Sequence, residues 1–295
     1  MIHPYATEAY AKSLGHVGTP MLLPEWETVV VLREIPGGGV DAIGAYPIAV
    51  LAQDADLQGG LDRLRAVGVV TVTLVIVGKH RAERLRGTFN VVEPFKSHWI
   101  RRNTAPFGYD KHHRYEIRRA LRSVEAGVFA LADEMNAWCD LYRALVERHN
   151  LSGLHDFPRS HFETLGAMAG VTAIGAWKDG ALVSAHVWMD DGANVHSHLA
   201  ASNAEGYRIG AAYAVYDASI RHFAERETLN FGGGAGALED PADGLATFKK
   251  GFANELEQAY ICGAILNGEK YQDLAQYRNA PPETRFFPIY RTPGD

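Results

Sequence analysis

The sequence predicts an α/β fold, a mixed and mainly antiparallel sheet flanked by helices, and three observations carry that expectation. Residues 26–33 and 69–77 are β-branched and apolar runs of strand character. Residues 171–177, 182–189 and 193–200 are further strand-like runs, joined by Asp179-Gly180 and Asp190-Asp191-Gly192, whose composition suits hairpin turns. Between strands lie segments with apolar residues at helical spacing, such as Leu57, Leu61 and Leu64.

In chain order, the run at 26–33 is punctuated by Pro36-Gly37-Gly38-Gly39 and resumes over 40–50, the pattern of a long hairpin. A helix over 56–66 precedes the strand at 69–77, which is apolar enough to need cover on both faces. A short helix at 83–86 and a strand at 89–92 follow. From Asp110 the pattern turns helical: His113, Ile117, Leu121 and Val124 form one stripe, closed near Gly127. Residues 128–131 are strand-like, and 134–149 helical with Trp138, Leu141, Tyr142 and Leu145 inward. Ser160 and Glu163 have the spacing of a capping box for a helix ending near Gly170. After the three hairpin-linked strands, 209–226 reads as helix, 229–231 as strand, 232–236 as a glycine-rich loop and 256–261 as the last strand. The proline-rich tail from Ala280 is expected along the surface.

The length of 295 residues allows about two domains. With 47% hydrophobic and 22% charged residues the chain is not mainly disordered. No apolar run approaches the roughly 20 residues that span a bilayer, and the first residues lack the basic start and apolar run of a secretory signal, so a cytoplasmic location is expected. Cys139 and Cys262, the two cysteines, suit neither a disulfide framework nor a thiolate zinc site. A net charge of −6 argues against a protein that coats nucleic acid. That average conceals a basic segment: between Lys96 and Arg122, Lys96, Arg101, Arg102, Lys111, Arg114, Arg118, Arg119 and Arg122 face only Asp110 and Glu116. Such a segment suits a polyanionic partner, because it neutralises phosphates and releases counterions.

The order of elements over residues 111–265 resembles the second domain of FemAB-like transferases in the GNAT superfamily. Asn230-Phe231-Gly232-Gly233, followed by Gly244-Leu245-Ala246-Thr247-Phe248-Lys249-Lys250-Gly251-Phe252, is similar to that family's strand, glycine turn and Phe-Lys element. Ile117-Arg118-Arg119-Ala120 resembles its basic helix start, and His198-Leu199-Ala200-Ala201-Ser202 the strand entering its cleft. The resemblance implies tandem GNAT-like domains: a degenerate first domain over 1–110, a second over 111–265 with the catalytic cleft, and a C-terminal extension over 266–295.

Members of that family move an activated acyl group onto an amine, from aminoacyl-tRNA or, in more distant GNAT relatives, from acyl-CoA. The ester or thioester is already activated, so no metal or redox cofactor is required. The protein has to align the amine, help it lose a proton and stabilise the tetrahedral oxyanion. The resemblance implies that Phe248 offers its backbone N–H to that oxyanion and that Lys249 holds the acceptor end of tRNA. Lys96, Arg118, Arg119 and Lys250 are further donor-binding candidates. Acyl-CoA-using relatives have Gln or Arg, two residues, Gly, one residue, then Gly or Ala, whose amides cradle a pyrophosphate. Tyr207-Arg208-Ile209-Gly210-Ala211-Ala212 keeps the small residues but places Tyr207 at the Gln/Arg position, leaving Arg208 and Gly210 to meet a phosphate.

His198 is the candidate general base, since a neutral imidazole near pH 7 can take a proton from an ammonium nucleophile. His196 and His198 at i and i+2, with His186 on the adjacent strand, raise the alternative of a zinc site; the chain has no HExxH motif and no metal is expected. Tyr213 and Tyr216 are candidates to line the acceptor pocket, and Glu239, Asp240 and Asp243 to recognise a cationic acceptor. The expected function is therefore transfer of an aminoacyl group from aminoacyl-tRNA to an amine of a small-molecule or peptide-like acceptor. An acyl-CoA-dependent N-acetyltransferase is the first alternative, and a non-catalytic binding module with the tandem fold the second.

Overall fold

The computed structural model describes residues 2–234, 244–279 and 286–292. Its strands are β1 (Thr19–Leu23), β2 (Thr28–Glu34), β3 (Val40–Gly44), β4 (Val69–Val77), β5 (Val91–Arg102), β6 (Glu125–Phe129), β7 (Val171–Lys178), β8 (Ala181–Asp190), β9 (Asn194–Ser202), β10 (Thr228–Asn230) and β11 (Glu255–Ile265). Its helices are α1 (Glu8–Ser13), α2 (Leu57–Ala66), α3 (Lys79–Glu83), α4 (Lys111–Ala120), α5 (Met135–His149), α6 (Arg159–Ala167), α7 (Ala204–Ile209), α8 (Ala211–His222), α9 (Gly244–Lys250) and α10 (Gly268–Tyr277). The elements divide into two compact units, named here by sequence: a flanking unit of Tyr5–Phe95 with the chain from Gln258, and a central unit of residues 2–4 with Lys96–Glu257.

In the flanking unit the strand order is β1-β2-β3-β4-β11, antiparallel except for the parallel pair β3–β4. The apolar strand β4 is covered as its composition requires. Val69, Val72 and Leu74 join Trp26, Leu61 and Leu64 in one cluster, while Val70 packs with Ile35, Leu274 and Tyr290 in another. The tail departs from its expected surface course: Phe287 and Tyr290 are buried. Arg291 and Arg33 hold the buried Asp41 carboxylate at 2.9 and 3.0 Å, which compensates its removal from water. The units part near residues 95 and 257, whereas the sequence places boundaries at 110 and 265. The physical reason is β11, which pairs with β4 across Ala259–Ile265 and draws α10 and the tail into the flanking unit.

In the central unit the order is β5-β10-β9-β8-β7-β6, antiparallel except for β9–β10. Helices α4 and α8 pack on each other, α8 on β6–β8, and α5 on β8 and β9. Three local expectations are corrected. The stripe from Asp110 ends as helix at Ala120, because residues 125–129 pair with β7 as a strand. Ser160 lies inside α6, whose N-cap is Pro158, and Glu163 pairs with Arg159 at 2.8 Å instead of capping. The helix expected over 209–226 is broken at Gly210, whose φ of +73° closes α7 and opens α8. Among the described residues no helix is long and apolar enough to cross a membrane.

Candidate active site

The site forms where β9 and β10 part. They pair only across Asn194–His196 and Thr228–Asn230. β9 continues to Ser202 whereas β10 stops, so beyond His196 this edge of β9 has no strand partner among the described residues. The chain leaving β10 stays with β5 instead: the Phe231 N–H donates to the Trp99 carbonyl at 2.8 Å, and the Trp99 N–H to Gly232 at 3.1 Å. Gly232 turns the chain with φ +76°, a conformation that favours glycine.

Two lysines converge on the segment that follows. Lys249 of α9 is buried, and its Nζ donates to the Gly233 carbonyl at 2.6 Å. Lys96 of β5 donates to Gly234 at 3.2 Å. Asn230 Oδ1 fixes the turn, accepting from the Gly232 N–H at 2.8 Å and from His98 Nδ1 at 3.1 Å. Burial, then the Lys249 charge, drive the His98 pKa down to about 4 against the opposing Asn230 bond, with Lys96 adding to the depression. Burial and Lys249 also hold His186 well below its ordinary value. These imidazoles are neutral at pH 7, so the local charge is that of the ammonium groups.

Phe248 is packed edge-on by Tyr213 and Tyr216, each with ring centroids 4.8 Å away. Tyr216 also stacks on Phe231 at 5.5 Å. His113 of α4 lies between Asp110 and the Phe248 carbonyl, 3.1 and 3.0 Å from its two ring nitrogens, and so ties α4 to α9. In a helix over Gly244–Lys250 the Phe248 N–H is placed to bond the Gly244 carbonyl, so donation to an oxyanion would require that turn to open. Lys96, Tyr213, Tyr216, Phe248 and Lys249 thus form one group around the turn at Gly232.

The histidine strand is arranged differently from a shared face. The β8–β9 register jumps from Val187↔Leu199 to Trp188↔Ser197, which leaves His198 as the extra residue of a bulge. Ser197 therefore sits beside His186, with Oγ 2.8 Å from Nε2. His198 Nε2 lies 3.4 Å from His161 Nε2 of α6, and Phe157 stacks on the His161 ring at 4.3 Å. His196 instead meets His3, with ring centroids 4.9 Å apart. The set His186, His196 and His198 accordingly has no common focus for zinc. Burial, then His161 and His186, push the His198 pKa well below its ordinary value, so its ring is neutral in the physiological range.

Arg119 and Arg208 form a second group at the α7–α8 junction, where Arg119 Nη2 donates to the Arg208 carbonyl at 3.0 Å. The Arg208 guanidinium is held by Glu205 at 2.6 and 2.7 Å. Arg118 and Lys250 are exposed. Glu239, Asp240 and Asp243 lie outside the described residues. The sequence points to neither His98 nor His161, and to His113 only as part of a helical stripe; for His98 the signal is the alternation with Ile100, both buried on β5.

The acetyltransferase (GNAT) domain family matches residues 111–248. No curated protein matches the chain in sequence. Among solved structures, FemX superposes with a TM-score of 0.67 at 13% identity, covering 92% of this chain and 95% of its own. The C-terminal domain of a protein described as a lysylphosphatidylglycerol synthetase from Agrobacterium fabrum gives 0.66 at 15% identity and 88% coverage of both chains. L-PGS from Bacillus licheniformis gives 0.63 at 11% identity, covering 92% of this chain and 94% of that one. Residues 111–248 thus match the acetyltransferase (GNAT) domain family, and the likenesses to these solved structures show a shared fold.

Proposed function

We propose that the protein transfers an aminoacyl group from aminoacyl-tRNA to the amine of a small or peptide-like acceptor. The observation that carries this reading is the state of residues 207–212. Tyr207 and Arg208 lie within helix α7 instead of a phosphate-cradling turn, and Glu205 occupies the arginine that would meet a CoA phosphate. Lys96 and Lys249 at the parting of β9 and β10 are the cationic groups assigned to the 3′ end of a tRNA. In the reaction the neutral amine attacks the ester carbonyl, a C–N bond forms, and the C–O bond to the tRNA 3′ end breaks as that oxygen takes up a proton. Lys249 is assigned to the donor, Tyr213 and Tyr216 to the acceptor pocket, and His198 to accepting the amine proton. No metal or redox cofactor enters this scheme, and a cytoplasmic location goes with a charged-tRNA donor.

Calorimetry with charged tRNA and with CoA tests the choice of donor. The expected result is salt-dependent tRNA binding and weak CoA binding; tight CoA binding with no tRNA binding reverses it. The GNAT acetyltransferase match over 111–248 favours acyl-CoA transfer as the second reading.

A further inference from the structure

Apart from the group around Lys249, the central unit gathers His3, Asp191 and His196, each offering one ligand atom, with all three atoms within 4.8 Å of one another. They come from separate places: His3 from the segment before α1, Asp191 from the turn between β8 and β9, and His196 from β9 itself. The buried His3 ring meets the His196 ring edge-on, with an interplanar angle of 68°. Asp191 is held in place by its own turn. Its Oδ1 accepts from the Ala193 and Asn194 N–H groups at 2.9 and 2.7 Å, and its Oδ2 has a longer contact of 3.3 Å from Asn194 Nδ2. Burial alone would raise its pKa, but the Asn194 and Ala193 bonds and the nearby His3 hold the carboxyl below its ordinary value. The neighbouring Asp190 is paired with Arg226 at 2.9 Å, and that arginine acts on Asp191 only at longer range, without an ion pair.

The geometry points to a divalent transition-metal site, with zinc as the fitting ion, formed by His3, Asp191 and His196 and completed by water. Two imidazoles and one carboxylate make a donor set that zinc accepts in tetrahedral geometry. Ligand atoms 2.0–2.2 Å from one zinc lie roughly 3.3–3.5 Å apart, so side-chain rotations of about an ångström would seat the ion. The ion would fasten residues 2–4 to the β8–β9 hairpin. This set shares only His196 with the zinc alternative raised from the sequence.

The test is titration of the chelator-treated full chain with zinc chloride by calorimetry, alongside thermal melting with and without zinc. The expected result is one zinc per chain, with affinity lowered at least about tenfold in His196→Gln and in Asp191→Asn, and unaffected in His222→Gln. Zinc should raise the melting temperature of the wild type and not of the two ligand variants. Should Asp191→Asn disturb the turn, His3→Gln, which lies outside it, gives the same reading. Absence of saturable one-to-one binding, or equal affinity in wild type, His3→Gln and His196→Gln, would overturn the site.

Discussion

Lys249 joins two properties that rarely coincide, a charged ammonium and 7% exposure, and its Nζ bond to Gly233 keeps it at the turn beside the open edge of β9. Lys249→Met keeps most of the stem and removes the charge. One charge-assisted contact of about 1.5–3 kcal/mol is lost, so donor affinity should fall by roughly ten- to a hundred-fold. A modest drop in melting temperature should accompany it, because the Gly233 carbonyl loses this donor. Binding isotherms check this, and an unchanged dissociation constant removes Lys249 from the donor site. His198 is tested through kinetics. If it accepts the amine proton, His198→Gln should lower turnover by roughly 10²–10⁴-fold with little change in donor binding. Since burial depresses its pKa, the limb of the pH–rate profile belonging to His198 should lie on the acid side of 6.5, with the rate rising as pH rises. A variant with full turnover makes His198 a wall residue paired to His161, and leaves the amine to lose its proton elsewhere.

At the scale of elements, α4 and α9 are joined by His113, and that junction depends on a glycine. A Cβ on Gly251 would stand 1.9 Å from the His113 ring. Gly251→Ala should therefore displace the ring from the Phe248 carbonyl and cost about 1–3 kcal/mol, read as a lower denaturant midpoint with the slope unchanged; an unchanged midpoint would show that the junction yields without cost. Elements with one dominant signal were legible from sequence. β4 runs over 69–77 as expected, and β7, β8 and β9 follow from two hairpin turns. β5 was legible only at its start, because Lys96, His98, Arg101 and Arg102 interrupt its apolar pattern. Of these, Lys96 and His98 belong to the candidate site, where chemistry competes with patterning. The Phe-Lys element was found by resemblance, but its helical state was not, since seven residues carry too little periodicity. The bulge that separates His198 from His186 is a matter of register, which no local pattern in β9 announces.

For the molecule as a whole, three buried neutral imidazoles in the central unit set the response to acid. The pKa of His98 falls to about 4, and those of His186 and His198 lie well below 6.5. Between the folded and unfolded values the unfolded chain binds more protons, so stability is complete above pH 6.5 and is lost as pH falls toward the folded values. His98 alone would contribute roughly 2–4 kcal/mol across that window. Denaturant unfolding at pH 7.5 and pH 5 should show the loss, and His98→Gln should shrink the difference; a pH-independent midpoint would contradict the burial of these rings as neutral species. The likeness to FemX is one of fold and spans 92% of this chain. The choice of donor is the central claim of the proposed function. The most direct measurement is turnover of the full chain with a mixture of acceptor amines, supplied in parallel with charged tRNA and with acetyl-CoA. The account predicts acceptor-dependent release of uncharged tRNA, diminished in Lys249→Met and suppressed by added salt. Acetyl transfer from acetyl-CoA, with charged tRNA left intact, would contradict it.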